Sequence, residues 1–404
     1  MRKNEKATIL IAGEKVSTLA PVIVSASRAT DIPAFYAKWL LHRLEKGYLV
    51  CINPFNQKPS YVSFKNTRVV VFWTKNPAPL LKARVLEALD NYKFPAKEHE
   101  AQGPFLSTED RRGIHYYFQY TLNDYRAEGF EPHVAPLEKR IKTFRELSAR
   151  LRVTQGAEQI HRVIWRFDPM ILGPGLTPEI LVAKVKHIGD QIKGCTDKLV
   201  FSFLDLYRKT KRNLGAAAVE IKEKERQEIV ERLLALRDQW QREDGWRLTL
   251  ATCAENGEYA GVEHNHCIDG ELIRKLFGDD AELAKYLGEE AQKESKRQAR
   301  EARKSAQSSL FGEEAPGTPI ARVVRIYSKD SGQREECGCE VSKDIGSYDT
   351  CPHGCLYCYA NTSPEDVQKN REKLKETDWN GESLLPKGGI SSSKECEQEE
   401  KING

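Results

Sequence analysis

Short apolar segments, rich in β-branched and aromatic residues, recur along roughly the first 250 residues with helical segments between them. Most of these segments are continuously apolar rather than alternating, which is typical of strands covered on both faces. The predicted strands are Pro21–Ser25, Tyr48–Ile52, Val69–Trp73, Tyr116–Leu122, Arg162–Phe167, Lys198–Phe203 and Arg247–Thr252. Alternating strands and helices predict an α/β protein with a parallel sheet. We expect a (β/α) barrel, TIM-like or partial, with a doubly wound open sheet as the alternative.

Two segments decide whether such a barrel is complete. Ala321–Tyr327 is a candidate eighth strand. Tyr48–Ile52, however, could form a hairpin with Tyr61–Phe64, because the residues between them favour a turn, and the barrel would then lack a strand. Among the intervening helices, Glu220–Glu243 has one apolar face and is followed by Gly245, a residue that commonly ends helices.

The 404 residues are enough to bury a large core. We predict an N-terminal extension (1–20), the α/β barrel (21–281), a charged linker or solvated helix (282–318), a cysteine-rich iron–sulfur segment that completes the barrel (319–373), and a largely disordered tail (374–404).

The overall composition excludes few classes of protein. The net charge of +4 neither requires nor excludes nucleic acid, since the local density of charge on one face is what matters. No signal peptide is visible and no run of about 18 apolar residues occurs, so we expect a cytoplasmic protein without a membrane span. In a reducing compartment, clustered cysteines are metal ligands or catalysts more often than disulfides.

Three cysteines near the C-terminal end are the strongest chemical signal. Cys351, Cys355 and Cys358 follow a C-x3-C-x2-C spacing, which holds three thiolates on one compact loop. Three thiolates can bind three irons of a [4Fe–4S] cluster and leave the fourth iron open; zinc is the alternative metal. Cys337 and Cys339 lie just upstream. They could supply a fourth ligand to the cluster, bind a second metal or form a redox pair, and the sequence does not decide among these.

A weaker set of metal-ligand residue types lies earlier in the chain. Cys253 and Glu255 precede the run Glu263–Cys267, which contains two histidines and a further cysteine. The spacing matches no strong metal-binding motif, so an isolated histidine here is more typical of an ordinary core or surface residue.

A polar loop follows the first predicted strand. Ser27, Arg28, Thr30 and Asp31 offer hydroxyls, a guanidinium and a carboxylate at the carboxyl end of that strand, where barrel enzymes build their active sites. Arg28 could bind a carboxylate or phosphate with two hydrogen bonds. Asp31 could equally serve as a helix cap, with Pro33 in the first turn.

Four more charged residues lie at or just beyond the ends of later strands: Lys75, Arg166, Asp168 and Glu255. They would converge on one rim if the barrel forms. Arg166 lies within an apolar strand, and Asp168, two residues on, is its natural partner on the same face. A structural ion pair is therefore the alternative to a catalytic role for these two residues.

Several runs of sequence together resemble the DUF1848 family. They are Ser27–Tyr36, Phe72–Pro77, Ile164–Pro169, Ser202–Tyr207, Cys253–Glu255, Gln333–Cys339, Asp344–Tyr348 with the three-cysteine loop, and Asn380–Leu385. The resemblance extends from about residue 21 to 385, although Ala29 stands where the family often has a second arginine. It implies a barrel-like α/β fold, and the family's function is uncharacterised.

The three-cysteine loop also resembles that of radical S-adenosylmethionine (SAM) enzymes. This implies an enzyme in which the cluster reduces SAM, a radical acts on an unknown substrate, and a ferredoxin or flavodoxin supplies electrons. Tyr357 would then pack near the cluster or the SAM adenine, and Ser27 and Thr30 would help to bind the cofactor. Because the loop is near the C-terminal end, the barrel would be circularly permuted, with Ser25–Asp31 as the loop of its second strand.

The competing hypothesis is a metal-binding module that does not use SAM. It would be either an iron–sulfur electron carrier or a nucleic-acid-binding protein stabilised by zinc. Four thiolates on one metal centre would favour it.

Overall fold

The computed structural model describes residues 6–53, 56–94, 113–155, 158–253, 255, 257, 259–288 and 337–385. The strands are β1 (Lys6–Ile11), β2 (Glu14–Leu19), β3 (Ile23–Ala26), β4 (Tyr48–Ile52), β5 (Pro59–Ser63), β6 (Val69–Thr74), β7 (His115–Thr121), β8 (Val153–Gln155), β9 (Glu158–Ile160), β10 (Val163–Met170), β11 (Lys198–Phe203), β12 (Thr249–Thr252), β13 (Glu263–His264) and β14 (Lys343–Asp344). The helices are α1 (Ile32–Phe35), α2 (Ala37–Lys46), α3 (Ala78–Lys82), α4 (Val85–Asp90), α5 (Leu137–Leu151), α6 (Pro178–Ile192), α7 (Arg208–Leu214), α8 (Glu223–Asp244), α9 (Gly270–Phe277) and α10 (Pro364–Glu376).

An eight-stranded parallel sheet organises the molecule. Its strand order is β13-β12-β11-β10-β7-β6-β3-β14, and every neighbouring pair is parallel. Six of the seven strands predicted from apolar runs belong to it. Because all strands run the same way, the loops that follow them emerge at one edge, which is where ligands bind in sheets of this kind.

Both faces of this sheet are buried, as continuous apolar strands require. Along β6, Val70 and Phe72 pack into one core with the apolar faces of α2, α4, α5, α6 and α8. The alternate residues Val69 and Val71 pack into a second core with Ile273 of α9. The sheet is therefore a middle layer between helices, and its loops at the carboxyl edge are held by packed elements.

The expected closed barrel is not seen in the described part of the chain. The sheet ends at β13 on one side and β14 on the other, and no ladder joins those two strands among these residues. The second core, which would fill the interior of a barrel, instead contains Ile273, Leu276 and Phe277 of α9. The observed architecture is a mixed α/β fold with a large parallel sheet and helices.

A smaller sheet accounts for the remaining predicted strand. β4 pairs antiparallel with β5, so Tyr48–Ile52 is half of a hairpin and not a strand of the main sheet. The first 20 residues contribute a second hairpin, β1 with β2. The pair Leu19 and Val62 joins the two hairpins into one sheet of order β1-β2-β5-β4.

The edge strand next to β3 is β14, formed by Lys343–Asp344. The candidate strand Ala321–Tyr327 and most of the predicted charged segment lie outside the described residues. Within the predicted tail of 374–404, α10 continues to Glu376, and Leu384 and Leu385 are buried. Residues 386–404 lie outside the described part of the chain.

Candidate functional site

The three-cysteine loop lies at the carboxyl edge of the sheet, between β14 and α10. Gly354 has a φ of +67°, a backbone conformation that favours glycine, and its neighbour His133 leaves little space for a side chain there. Burial, with smaller contributions from nearby Asp31 and Cys358, raises the pKa of Cys351 to about 12. Burial likewise raises the pKa of Cys355, with contributions from Glu131, Cys358 and Cys351. Cys355 is thus close enough to Cys351 and Cys358 for charges on these residues to interact.

Asp31 connects this loop to two others. Its Oδ1 accepts a hydrogen bond from the backbone N–H of Ala34 at 3.0 Å, which caps α1 as predicted. Its Oδ2 accepts the N–H of Lys75 at 2.7 Å and lies 2.8 Å from Nε2 of His353, inside the three-cysteine loop. One buried carboxylate therefore fixes the loops after β3, β6 and β14 relative to each other.

Lys75 belongs to a second polar group beneath the loop. Its Nζ lies 2.7 Å from Oε1 of Glu131 and 3.0 Å from the hydroxyl of Tyr357. Tyr357 also donates to Glu131, and the amide of Asn123 contacts both. Burial disfavours the ionised form of Glu131, but Lys75 and Arg140 more than offset it and hold the pKa of this carboxyl at about 2. The group is thus an ion pair that fixes Tyr357 in place.

A second group of cysteines lies farther along the same edge. Sγ of Cys253, after β12, is 3.2 Å from Sγ of Cys267, in the turn before α9. The thiol of Cys339 contacts those of Cys267 and Cys337. Cys337 therefore reaches Cys267 through Cys339, and these three residues form one group with Cys253. We call the four residues Cys253, Cys267, Cys337 and Cys339 the four-cysteine group.

Arg166 borders the four-cysteine group. Its Nη1 donates to Sγ of Cys267 at 3.1 Å and to Oε1 of Gln119 at 3.3 Å. On its other side, Nε donates to Oδ2 of Asp168 at 3.1 Å and Nη2 forms an ion pair with the same carboxylate. The predicted pair of Arg166 and Asp168 is present, and it holds the guanidinium against the cysteines. Asp168 also accepts a hydrogen bond from Ser202.

Arg28 faces the same cysteines from the loop after β3. Burial disfavours its charge, yet the thiols of Cys339, Cys267 and Cys337 together with Asp344 raise its pKa above the ordinary value. Its guanidinium lies 5.7 Å from the ring centroid of Trp73. The hydroxyl of Tyr359 donates to the carbonyl of Arg28 at 2.9 Å, so this loop also contacts the end of the three-cysteine loop.

In the part of the chain that the structure describes, no hydrogen-bond partner contacts the buried atoms Arg28 Nη2, Thr30 Oγ1 and His353 Nδ1. Ser27 differs, because its Oγ accepts the N–H groups of Ala29 and Thr30 at 3.0 and 3.3 Å. Ser27 therefore shapes the loop, while Arg28, Thr30 and His353 keep atoms available for another group. A buried polar atom without a partner is costly unless something binds it.

Glu255 is positioned differently from the other predicted residues. Its Oε1 accepts the N–H of Phe203 at 2.8 Å and its Oε2 accepts from Nη1 of Arg226 at 3.0 Å. Burial raises the pKa of Glu255, against the opposing effects of the Phe203 N–H and Arg226. Both carboxylate oxygens are thus occupied by contacts that join β11, α8 and the loop after β12.

The predicted site residues therefore lie in two neighbouring groups and not on a single rim. Asp31, Lys75 and Tyr357 accompany the three-cysteine loop, whereas Arg28, Arg166 and Asp168 lie by the four-cysteine group. Sequence reasoning did not identify four contributors as site residues: Asn123, Glu131, Asp344 and His353. His353 was detectable, since it lies inside the cysteine motif, but Asn123 and Glu131 occupy a loop that carries no motif.

Asp344 also was not predicted as a site residue. Its Oδ2 accepts from the hydroxyl of Ser25 and from the N–H of Arg28, both at 2.8 Å. Its Oδ1 accepts the N–H of Gly346 at 2.9 Å. A side chain at the end of β14 thereby holds the loop after β3, which secures two chain segments more than 300 residues apart.

Among the described residues, no three His, Cys, Asp or Glu side chains are already arranged around a point where a metal ion would sit. No helix in the described part of the chain is long and apolar enough to cross a membrane. The family model of DUF1848, described as a domain of unknown function, matches residues 23–96 and 85–360. Searches of curated proteins and of solved structures found no match.

Proposed function

The chain belongs to the DUF1848 family, a domain of unknown function, and we propose that it is a radical SAM-like enzyme. In this proposal Cys351, Cys355 and Cys358 bind a [4Fe–4S] cluster whose fourth iron stays open for SAM. Such a cluster supplies the electron for reductive cleavage of SAM, and the protein supplies binding and orientation. The substrate is unassigned, because no side chain of the site selects one molecule.

One observation carries the proposal: the loop has three thiols of its own, while the two candidate fourth ligands have other partners. Cys337 contacts Cys339, and Cys339 contacts Cys267 in the four-cysteine group. A cluster on the loop would therefore keep one iron without a cysteine ligand, which is the condition for binding SAM. The alternative, an electron carrier with a fully ligated cluster, would need a fourth thiol at the loop.

The residues around the loop suit a zwitterionic cofactor. Arg28 Nη2 and Thr30 Oγ1, in the loop after β3, are buried and have no hydrogen-bond partner among the residues described, so they can bind a carboxylate. The pair of Lys75 and Glu131 would hold the hydroxyl of Tyr357, leaving its ring as an apolar surface for an adenine. His353 would keep the loop in position through Asp31, and its Nδ1 has no hydrogen-bond partner within the described ranges.

The strand order supports a circularly permuted relation to a (β/α) barrel. β14, the loop and α10 form a strand–loop–helix unit, and β14 lies next to β3. The last such unit of this chain would then correspond to the first unit of an ordinary radical SAM barrel. The loop after β3 would take the place of the second strand's loop, and Asp31 brings it within hydrogen-bond distance of His353.

The test is anaerobic purification, reconstitution with iron and sulfide, and spectroscopy with and without SAM. We expect about four iron atoms per chain and an electron paramagnetic resonance signal of the reduced cluster that changes when SAM is added. Replacing Cys351, Cys355 and Cys358 together with serine should remove the cluster. The matched control Cys195→Ser, near Arg145 and Arg152, should retain it.

Two results would overturn the proposal. One is a colourless protein that binds no iron after reconstitution. The other is a cluster whose signal does not respond to SAM, which would favour an iron–sulfur electron carrier. In the first case a ferredoxin or flavodoxin would have no role as electron donor, and a zinc-stabilised nucleic-acid-binding module would be the next candidate.

A further inference from the structure

The four-cysteine group joins three separate parts of the chain. Cys253 follows β12, Cys267 precedes α9, and Cys337 and Cys339 belong to the segment that leads to β14. The two sulfurs of Cys253 and Cys267 are 3.2 Å apart, and Cys339 contacts both Cys267 and Cys337. Four thiols from three segments are more than a buried apolar cysteine requires, since isolated free cysteines pack as small hydrophobic residues.

Hydrogen-bond donors and guanidinium groups surround two of these sulfurs. Cys267 Sγ accepts hydrogen bonds from Arg166 Nη1 at 3.1 Å and from Asn265 Nδ2 at 3.2 Å. The N–H of Ile268 points to Sγ of Cys339 at 3.5 Å. Arg28 adds a second guanidinium. Four thiolates on a divalent cation carry a net charge of −2, which these two guanidinium groups would offset in part, since Arg166 is also paired with Asp168.

The distance between the sulfurs of Cys253 and Cys267 distinguishes a zinc site from an iron–sulfur cluster. Thiolates in a tetrahedral zinc site are about 3.8 Å apart, because each Zn–S bond is about 2.3 Å long. The sulfurs of Cys253 and Cys267, at 3.2 Å, need to separate by only roughly half an ångström to reach that spacing. A four-iron cluster would hold its thiolates much farther apart, since iron and sulfide lie between them.

We propose that Cys253, Cys267, Cys337 and Cys339 bind one Zn²⁺ ion in a closed tetrahedral site. Binding replaces the four thiol protons, which pass to solvent, and no oxidant or reductant takes part. The sulfurs now contact each other directly and would turn towards the ion, so no preformed ligand arrangement is present among the described residues. The ion would cross-link the end of β12, the start of α9 and the segment before β14.

Backbone contacts already join two of the segments that carry these cysteines. The N–H of Glu340 donates to the carbonyl of Ile268 at 2.9 Å, directly beside Cys339 and Cys267. Gly338, between the two later cysteines, lies so close to His266 that a Cβ would overlap its ring. A C-x-C segment is thus pressed against the turn that carries Cys267, with room for glycine only.

The zinc site and the proposed iron–sulfur loop can be tested separately, because each metal is counted by itself. Wild-type protein purified anaerobically should contain about one zinc atom per chain. The triple serine variant of Cys351, Cys355 and Cys358 should keep that zinc and lose iron. Cys267→Ser combined with Cys339→Ser should lose zinc, while the control Cys195→Ser should keep it.

X-ray absorption at the zinc edge of the wild-type protein keeps the proposal testable even if the double variant fails to fold. We expect four sulfur neighbours at about 2.3 Å. Three results would overturn the proposal: protein without zinc after growth in zinc-supplemented medium, zinc bound by fewer than three sulfurs, or a disulfide between Cys253 and Cys267 in anaerobic protein. The wild-type protein could instead contain about eight iron atoms per chain, with half of them retained in the triple serine variant. The four-cysteine group would then bind a second cluster and not zinc.

Discussion

Nε2 of His353 lies 2.8 Å from Oδ2 of Asp31, and this contact joins the three-cysteine loop to the loop after β3. The two residues are 322 positions apart in the chain and both are buried. His353 also packs edge-on against the ring of Phe35, with ring centroids 4.6 Å apart. The cysteine loop is therefore held against the start of α1 by a polar and an apolar contact of one side chain.

His353→Ala should weaken metal binding by the loop. Removal of a side chain that positions a metal-binding segment typically costs 10- to 100-fold in affinity, and about that loss is expected here. The measurement is the rate at which a chelator removes iron from the reconstituted protein. His353→Gln, which can still hydrogen-bond Asp31, should recover part of the affinity. The control is His187→Ala on the exposed face of α6, and equal iron retention in His353→Ala and this control would contradict the prediction.

Glu131→Gln should lower stability in a manner that depends on pH. The change leaves the ammonium of Lys75 buried without its carboxylate, which typically costs about 3–5 kcal/mol in the free energy of unfolding near neutral pH. The folded-state pKa of Glu131 is about 2, below the value of about 4.3 for an unfolded chain. Its ionised form therefore stabilises the fold above about pH 4.3, and this contribution fades as the pH falls towards 2.

Urea unfolding of both proteins between pH 3 and pH 7 measures this effect. The difference between wild type and Glu131→Gln should be largest near neutral pH and should shrink as the pH falls below about 4. Glu146→Gln is the control, because its pair with Lys142 is exposed and 3.9 Å long. We expect that control to change stability by less than about 0.5 kcal/mol. A difference that stays constant across this pH range would sink the prediction.

The strands were predictable because a strand that is buried on both faces needs a nearly continuous run of apolar residues. Val69–Trp73 and Lys198–Phe203 are apolar at almost every position, and both became strands of the parallel sheet. β14 has only two residues, Lys343 and Asp344, neither of them apolar. Its place beside β3 comes from backbone pairing and from Asp344, and no periodicity in the sequence reports either.

The site was predictable only where partners are close in sequence. Arg166 and Asp168 are two residues apart on one strand, so the alternation of side chains indicates that they meet. Cys267 and Cys339 are 72 positions apart, and the sequence does not show which cysteines share a site. The same applies to Glu131, whose partner Lys75 follows a different strand.

Gly189→Ala should destabilise the packing of α6 on α8. A Cβ at this position would overlap the six-membered ring of Trp240, which is almost fully buried. Trp240 cannot turn away freely, because its Nε1 donates to Asp190 at 2.8 Å and its ring contacts that of Trp246. Overpacking of this kind costs about 1–3 kcal/mol. At Gly288 a Cβ meets none of the described atoms within 4 Å. Gly288→Ala should therefore stay within about 0.5 kcal/mol of wild type when both variants are compared with wild type by thermal unfolding.

Arg166→Met should be among the most destabilising substitutions at the edge of the sheet. The guanidinium is buried and donates to Asp168, Gln119 and Cys267. Its removal leaves the carboxylate of Asp168 without a cation, although Ser202 still donates a hydrogen bond to it. Breaking a buried ion pair by removing one member typically costs about 3–5 kcal/mol in the free energy of unfolding. Arg166→Lys should recover only part of this, since one ammonium cannot reach partners on both sides as the planar guanidinium does.

Urea midpoints of Arg166→Met and Arg150→Met provide the comparison. Arg150 pairs with Glu87 at 3.1 Å on the surface, where such pairs contribute about 0–1 kcal/mol. The two variants lose the same number of charges, so a difference between their midpoints reports burial of the partners and not net charge. Equal midpoints would mean that Asp168 and the four-cysteine group do not need the guanidinium of Arg166.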